Sequence, residues 1–147
     1  MTGPKADRRF LVLRRAVDEE YPGVWQGVAG GIETSETAWE AALRETREET
    51  GVTPVELYAL DHVSTFYVHR LDAIVRMPAF LAVLPSVNIE LSPEHDAFQW
   101  LSHEAAVARL SWKPAREALR SIPDLLARPE ARALCRIDID HLKNTTK

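Results

Sequence analysis

Glu45, Glu48 and Glu49 put three carboxylates into five consecutive positions, with Arg44 directly before them, Gly30 and Glu36 upstream and Gly51 just downstream. Glu45 stands three residues before Glu48 and four before Glu49, so on a helix these like charges face one another, each pair costing roughly a few tenths of a kcal/mol. They also crowd toward the negative end of the helix dipole. Nothing in folding rewards that arrangement. A hard divalent cation does, because converging carboxylate oxygens, a backbone carbonyl and waters suit Mg²⁺ or Mn²⁺. The plain alternative is a solvated, charge-laced surface helix.

The element that must position these acids is legible around them. Thr37 followed three residues later by Glu40 forms a capping box, Ala38 to Thr50 contains neither Gly nor Pro, and Gly51 is a natural terminator. At about 100° per residue, Trp39, Leu43, Thr46 and Thr50 fall on one stripe, and Ala38, Ala42, Glu45 and Glu49 on the next, with Glu48 beside them. The spacing therefore predicts a helix over 38–50 with a core face and an acid face. Upstream, Gly30 and Gly31 matter because a backbone carbonyl can approach a cation only where no Cβ stands in the way.

Gly30 to Val52 resembles the Nudix box, G-x5-E-x7-R-E-U-x-E-E-x-G-U with U a bulky apolar residue, and fills every fixed position. Thr46 at the first U is the one soft mismatch, since its hydroxyl needs a partner. A motif so constrained weighs heavily against the surface-helix alternative. The resemblance implies an α/β (α+β) fold, a Nudix α/β/α sandwich with a mixed central sheet, and hydrolysis of a nucleoside diphosphate linked to another group. Carried over residue by residue, it implies that Glu45, Glu48, Glu49 and the Gly30 carbonyl hold Mg²⁺ or Mn²⁺, and that Arg44 orients Glu48. Glu36 reads as a support for the loop.

The 147 residues, 46% hydrophobic and 27% charged, fit a single domain over 1–147, with 1–9 and 143–147 expected to be flexible. A net charge of −4 provides no general field for nucleic-acid backbone, so long nucleic acid is not an expected partner. Cys135 is alone and forms no internal disulfide, and no apolar run is long enough for a signal or membrane span. A soluble cytoplasmic protein follows as the default, with a homodimer left open.

Phe10 to Leu13 reads as a short strand; the strand usual before it in the family is either missing or shortened here. Pro22-Gly23 marks a turn before Trp25 and Gln26. Val55 to Tyr67 and Ala73 to Leu84 read as a long antiparallel ribbon, with Pro78 demoting the second to an edge or bulged strand. Val87 to Leu91 and Ala97 to Leu101 alternate as strands do. Ser102 caps a helix over 104–110, Pro114 opens another over 115–121, and Pro123 and Pro129 punctuate the chain beyond it. A short helix or strand is expected after Ala131.

Trp25-Gln26, Glu94-His95 with Phe98 to Leu101, and Ser111-Trp112 together resemble the dihydroneopterin triphosphate pyrophosphatases, which also release pyrophosphate from dATP-like triphosphates. This implies a small nucleotide-like substrate, with Trp25 and Gln26 at its binding site, although Trp25 reads equally well as a packed aromatic. His69 and Arg70 could reach a phosphate or simply form the ribbon's turn. Metal-bound glutamates make awkward bases, so Glu94 is the candidate base; a plain solvent turn and His95 are its rivals. Three classes stay open: a triphosphate pyrophosphohydrolase, a Nudix hydrolase of a nucleotide sugar or dinucleoside polyphosphate, and a silent nucleotide-binding module.

Overall fold

A computed structural model describes residues 1–3 and 7–140. In chain order the elements are β1 (Phe10–Arg15), β2 (Trp25–Gln26), α1 (Ala38–Thr50), β3 (Glu56–Val68), β4 (Ala73–Val83), β5 (His95–Leu101), α2 (His103–Arg109), α3 (Lys113–Ala127), α4 (Pro129–Cys135) and β6 (Arg136–Ile137). The strands form two sheets, ordered β2-β1-β5 and β4-β3-β6. Helices and sheets combine as expected for this fold class, but among the described residues every ladder is antiparallel, where one mixed sheet was expected.

Alternating apolar residues of β1 and β3 make the core. Phe10, Val12, Tyr58 and Leu81 from the sheets meet Ala106 of α2, Leu110 at its C-terminal cap, and Leu119, Ile122 and Leu125 of α3. Leu57 is wholly buried, so truncating it to Ala would cost about 2–5 kcal/mol. The ribbon β3–β4 matches its expected limits to within a residue or two. Pro78 lies on the sheet's edge strand, next to a register shift between Ala59 and Val63, because a residue without N–H interrupts a ladder least there.

Three expectations fail for identifiable reasons. Val87 to Leu91 is not a strand: Glu90 N donates to Thr50 O (2.8 Å) and Ser92 N to Glu49 O (3.3 Å), so this segment satisfies the orphan carbonyls at the end of α1 instead of extending a sheet. Next, α3 does not stop near Ser121 but runs through Pro123. The Leu119 carbonyl, which an amide at position 123 would normally bond, instead meets His103 Nε2 at 2.9 Å, which lowers the cost of the proline. Lastly, residues 1–9 are not loose throughout: Thr2 is buried and bridges Arg9, and Leu84 N donates to Met1 O. These contacts act as a shortened first strand. The expected flexibility of 143–147 lies outside the described residues.

Candidate metal and hydrolase site

The site is built on α1. Thr37 caps it through the reciprocal box with Glu40, and Gly51 ends it in the left-handed conformation (φ 69°), its N–H on Arg47 O. The Thr46 hydroxyl finds its partner in Ala42 O at 2.6 Å. Thr46 and Thr50 are buried, so the helix seats its core stripe and turns the acids toward the 29–36 loop and the 90–95 turn.

Arg44 organises the outer half. Its guanidinium donates to Glu36 Oε1 (2.9 Å) and Oε2 (3.1 Å), Glu45 Oε1 (2.8 Å), Glu48 Oε2 (3.0 Å) and Gly31 O (2.8 Å). The Arg44 bonds and the Glu33 amide hold the Glu36 carboxyl below the usual range. Glu36 is thus Arg44's principal partner, tying the loop to the helix in the supporting role expected of it. Among the described residues no three His, Cys, Asp or Glu side chains converge around one point fit for an ion; Glu45 and Glu48 are bonded to Arg44 instead.

The inner half is different. Glu49 is 1% exposed, and neither of its oxygens has a hydrogen-bond partner. Burial pushes its pKa up to about 8, and the Glu45 and Glu94 charges add to this. The Ala29 amide pulls the other way without making a bond of normal geometry. Leaving a charged group uncompensated in such a place is costly. Beside it, a Cβ on Gly30 would overlap the Glu45 carboxyl group, so the glycine is the space that this acid occupies. Orphaned carboxylate oxygens and a glycine cradle next to a second acid are what a hard divalent cation requires, and the residues fit one.

His95 and Gln26 lie behind Glu49. His95 is 4% exposed, with Nδ1 3.8 Å from Glu49 Oε2 and Nε2 3.4 Å from Gln26 Nε2. Burial, then the Arg15 charge, lowers the His95 pKa. Adjacent strand residues point to opposite faces, so while Gln26 faces α1, Trp25 packs on the core under α2 and α3. Arg109 and Arg14 stand over the Trp25 ring at 5.1 and 5.9 Å. Packing thus accounts for Trp25, and Gln26 is buried behind a histidine. Glu94 is exposed on the turn that the α1 carbonyls hold, its own carbonyl accepting from Ala16 N (2.8 Å). His69 and Arg70 form the ribbon's turn, and Arg70 Nη2 donates to Glu20 Oε2 at 2.9 Å. The pairing of Gln26 with His95 across 69 positions had no local signal in the sequence.

Residues 3–122 match the family model of the NUDIX domain. The chain therefore belongs to the Nudix family, hydrolases of phosphorus-containing acid anhydrides. It is 36% identical over 121 residues to an octanoyltransferase of Myxococcus xanthus, a match covering 80% of this chain and 32% of that protein, so the chain spans about a third of that relative. It is 32% identical to the dihydroneopterin triphosphate diphosphatase of Escherichia coli K12 (76% of this chain, 81% of the relative). It is 31% identical to the asymmetrical bis(5'-nucleosyl)-tetraphosphatase of Mus musculus (80% and 82%). A Nudix hydrolase crystal structure from Listeria monocytogenes has a TM-score of 0.70 at 30% identity, over 86% of this chain and 88% of that one. No helix among the described residues is long and apolar enough to cross a membrane.

Proposed function

We propose that the chain is a cytoplasmic, Mg²⁺-dependent pyrophosphohydrolase, with Mn²⁺ able to substitute, that cleaves a nucleoside or pterin triphosphate between its α and β phosphates. The observation that carries this reading is Glu49, a buried acid with both oxygens unpartnered, beside the glycine that admits Glu45. The triphosphate class is supported by the likeness to the E. coli diphosphatase.

Glu45, Glu48, Glu49 and the Gly30 carbonyl would hold the metal, which when bound supplies charge neutralisation on the phosphate oxygens and a lowered pKa for water. Arg44 keeps the 31–36 loop on the helix and steadies Glu45 and Glu48 through charge-assisted bonds. Glu94, exposed and close enough for its charge to be felt at Glu49, acts as general base. It takes the proton as the water oxygen bonds to phosphorus and the bridging oxygen departs with pyrophosphate.

A second reading is a dinucleoside polyphosphate substrate, favoured by the likeness to the mouse tetraphosphatase over 82% of that relative. Product analysis across triphosphates, dinucleoside tetraphosphates and nucleotide sugars separates the two. Monophosphate and pyrophosphate in equal amounts from a triphosphate support the first reading. Faster conversion of a dinucleoside tetraphosphate to a triphosphate plus a monophosphate installs the second, and no turnover of any substrate with Mg²⁺ leaves a silent binding module.

A further inference from the structure

Gln26, His95 and Glu49 come from β2, β5 and α1, yet all three are buried and stand in line. His95 and Glu49 have side chains 0% and 2% exposed, and Gln26 is 8% exposed. The ring's two nitrogens face different partners, Nε2 the Gln26 amide nitrogen at 3.4 Å and Nδ1 the Glu49 carboxylate at 3.8 Å. With the Gln26 amide turned so that its NH₂ meets the ring, Nε2 is the acceptor, which puts the proton of a neutral imidazole on Nδ1, aimed at Glu49. At 3.8 Å that contact is not yet a hydrogen bond, and His95 Nδ1 and both Glu49 oxygens are otherwise without partners. A hydrogen bond there requires the two groups to approach by roughly half an ångström or more. The backbone holds the ring in place: Ser92 N bonds Glu49 O, and His95 N bonds Ser92 O at 3.2 Å.

We propose that His95 is a positioning residue for Glu49: Gln26 fixes the tautomer, and the Nδ1 proton restrains one carboxylate oxygen so that the other is presented to the metal. A partner of this kind orients a ligand and commonly sets affinity by about 10–100-fold. The arrangement also gives buried Gln26 a purpose other than contact with substrate. The inference rests on Glu49 being a metal ligand, and the experiment separates the two ideas.

The probe is Mn²⁺, titrated into the full chain without substrate and followed by electron paramagnetic resonance, alongside ¹⁵N NMR of the imidazole nitrogens in the metal-free protein. The wild-type spectrum should show His95 Nδ1 protonated and Nε2 bare. His95→Asn, whose amide can place an N–H where Nδ1 stood, should keep Mn²⁺ affinity within about threefold, and His95→Phe should lose about 10–100-fold. Protonated Nε2 in the wild type, or equal affinity changes in the Asn and Phe variants, would overturn the proposal. If His95→Phe does not fold, Gln26→Met takes its place: the ring stays, the donor goes, and a mixed tautomer with weakened Mn²⁺ binding is expected, whereas no change in either measurement overturns it. Glu49→Gln is the control. If it binds Mn²⁺ like the wild type, the metal reading itself fails; if it loses Mn²⁺ while His95→Phe does not, the positioning role alone fails.

Discussion

The two halves of the α1 acid face carry the same residue type at helical spacing and are treated oppositely by the fold. Around Arg44, Glu36, Glu45 and Glu48 are satisfied by a guanidinium, with Glu48 still half in water. One turn on, Glu49 is buried without a bond to either oxygen, and a histidine stands just out of reach. A satisfied ion-pair network explains itself by the local order it confers. A buried, unsatisfied acid does not, because it costs stability until something charged arrives. The contrast separates a frame, centred on Arg44, from a working end, centred on Glu49.

The largest expected effect tests whether the frame's exposed acid also works. Glu48→Gln should keep the fold and lower Mg²⁺-dependent turnover at least about a thousandfold, since several kcal/mol of charge stabilisation goes with the metal; full activity in steady-state assays would return Glu48 to the frame. Glu94→Gln should lose about 10²-fold in kcat with substrate and metal binding nearly unchanged. Near-normal kcat would pass the base to another residue. Arg44→Lys keeps the charge but not the fork that reaches Glu36, Glu45 and Gly31 together, so turnover should drop roughly 10-fold with a melting temperature close to wild type.

The smallest effect is thermodynamic and concerns the metal-free chain. The Glu49 pKa is raised in the fold to about 8 from an ordinary 4.5, so the folded state holds the proton more tightly than the unfolded one. The resulting stability is fully present below about pH 4.5 and is lost as pH rises toward 8. With metal chelated, the melting temperature of wild type should therefore fall relative to that of Glu49→Gln from about pH 5 to about pH 8, the comparison cancelling the buried Met1 amine and His95, whose lowered pKa values act in both proteins. Parallel melting curves for the two proteins would show that Glu49 is not the group responsible.

Much of the frame was readable in the sequence, and most of the working end was not. The capping box at Thr37 and Glu40, the Gly51 terminator and the demotion of Pro78 to an edge are local rules acting on neighbours in the chain. The depth of Glu49 is not local. Periodicity put Glu45 and Glu49 on one stripe and gave no measure of depth; the 87–95 segment runs against the end of α1, and its first part, Val87 to Leu91, read as a strand because its apolar alternation says nothing of the Thr50 carbonyl that the Glu90 amide bonds. Similarly, Pro123 read as a stop because the carbonyl it leaves unbonded finds its partner in His103, sixteen residues before Leu119.

The central claim is that the working end holds a divalent metal, and its most direct test is a calorimetric titration of Mn²⁺ into wild type and Glu49→Gln at about pH 7.5, free of substrate. Saturable binding by wild type that is lost or weakened at least about tenfold in Glu49→Gln is the predicted result. Equal affinities in the two proteins would contradict it.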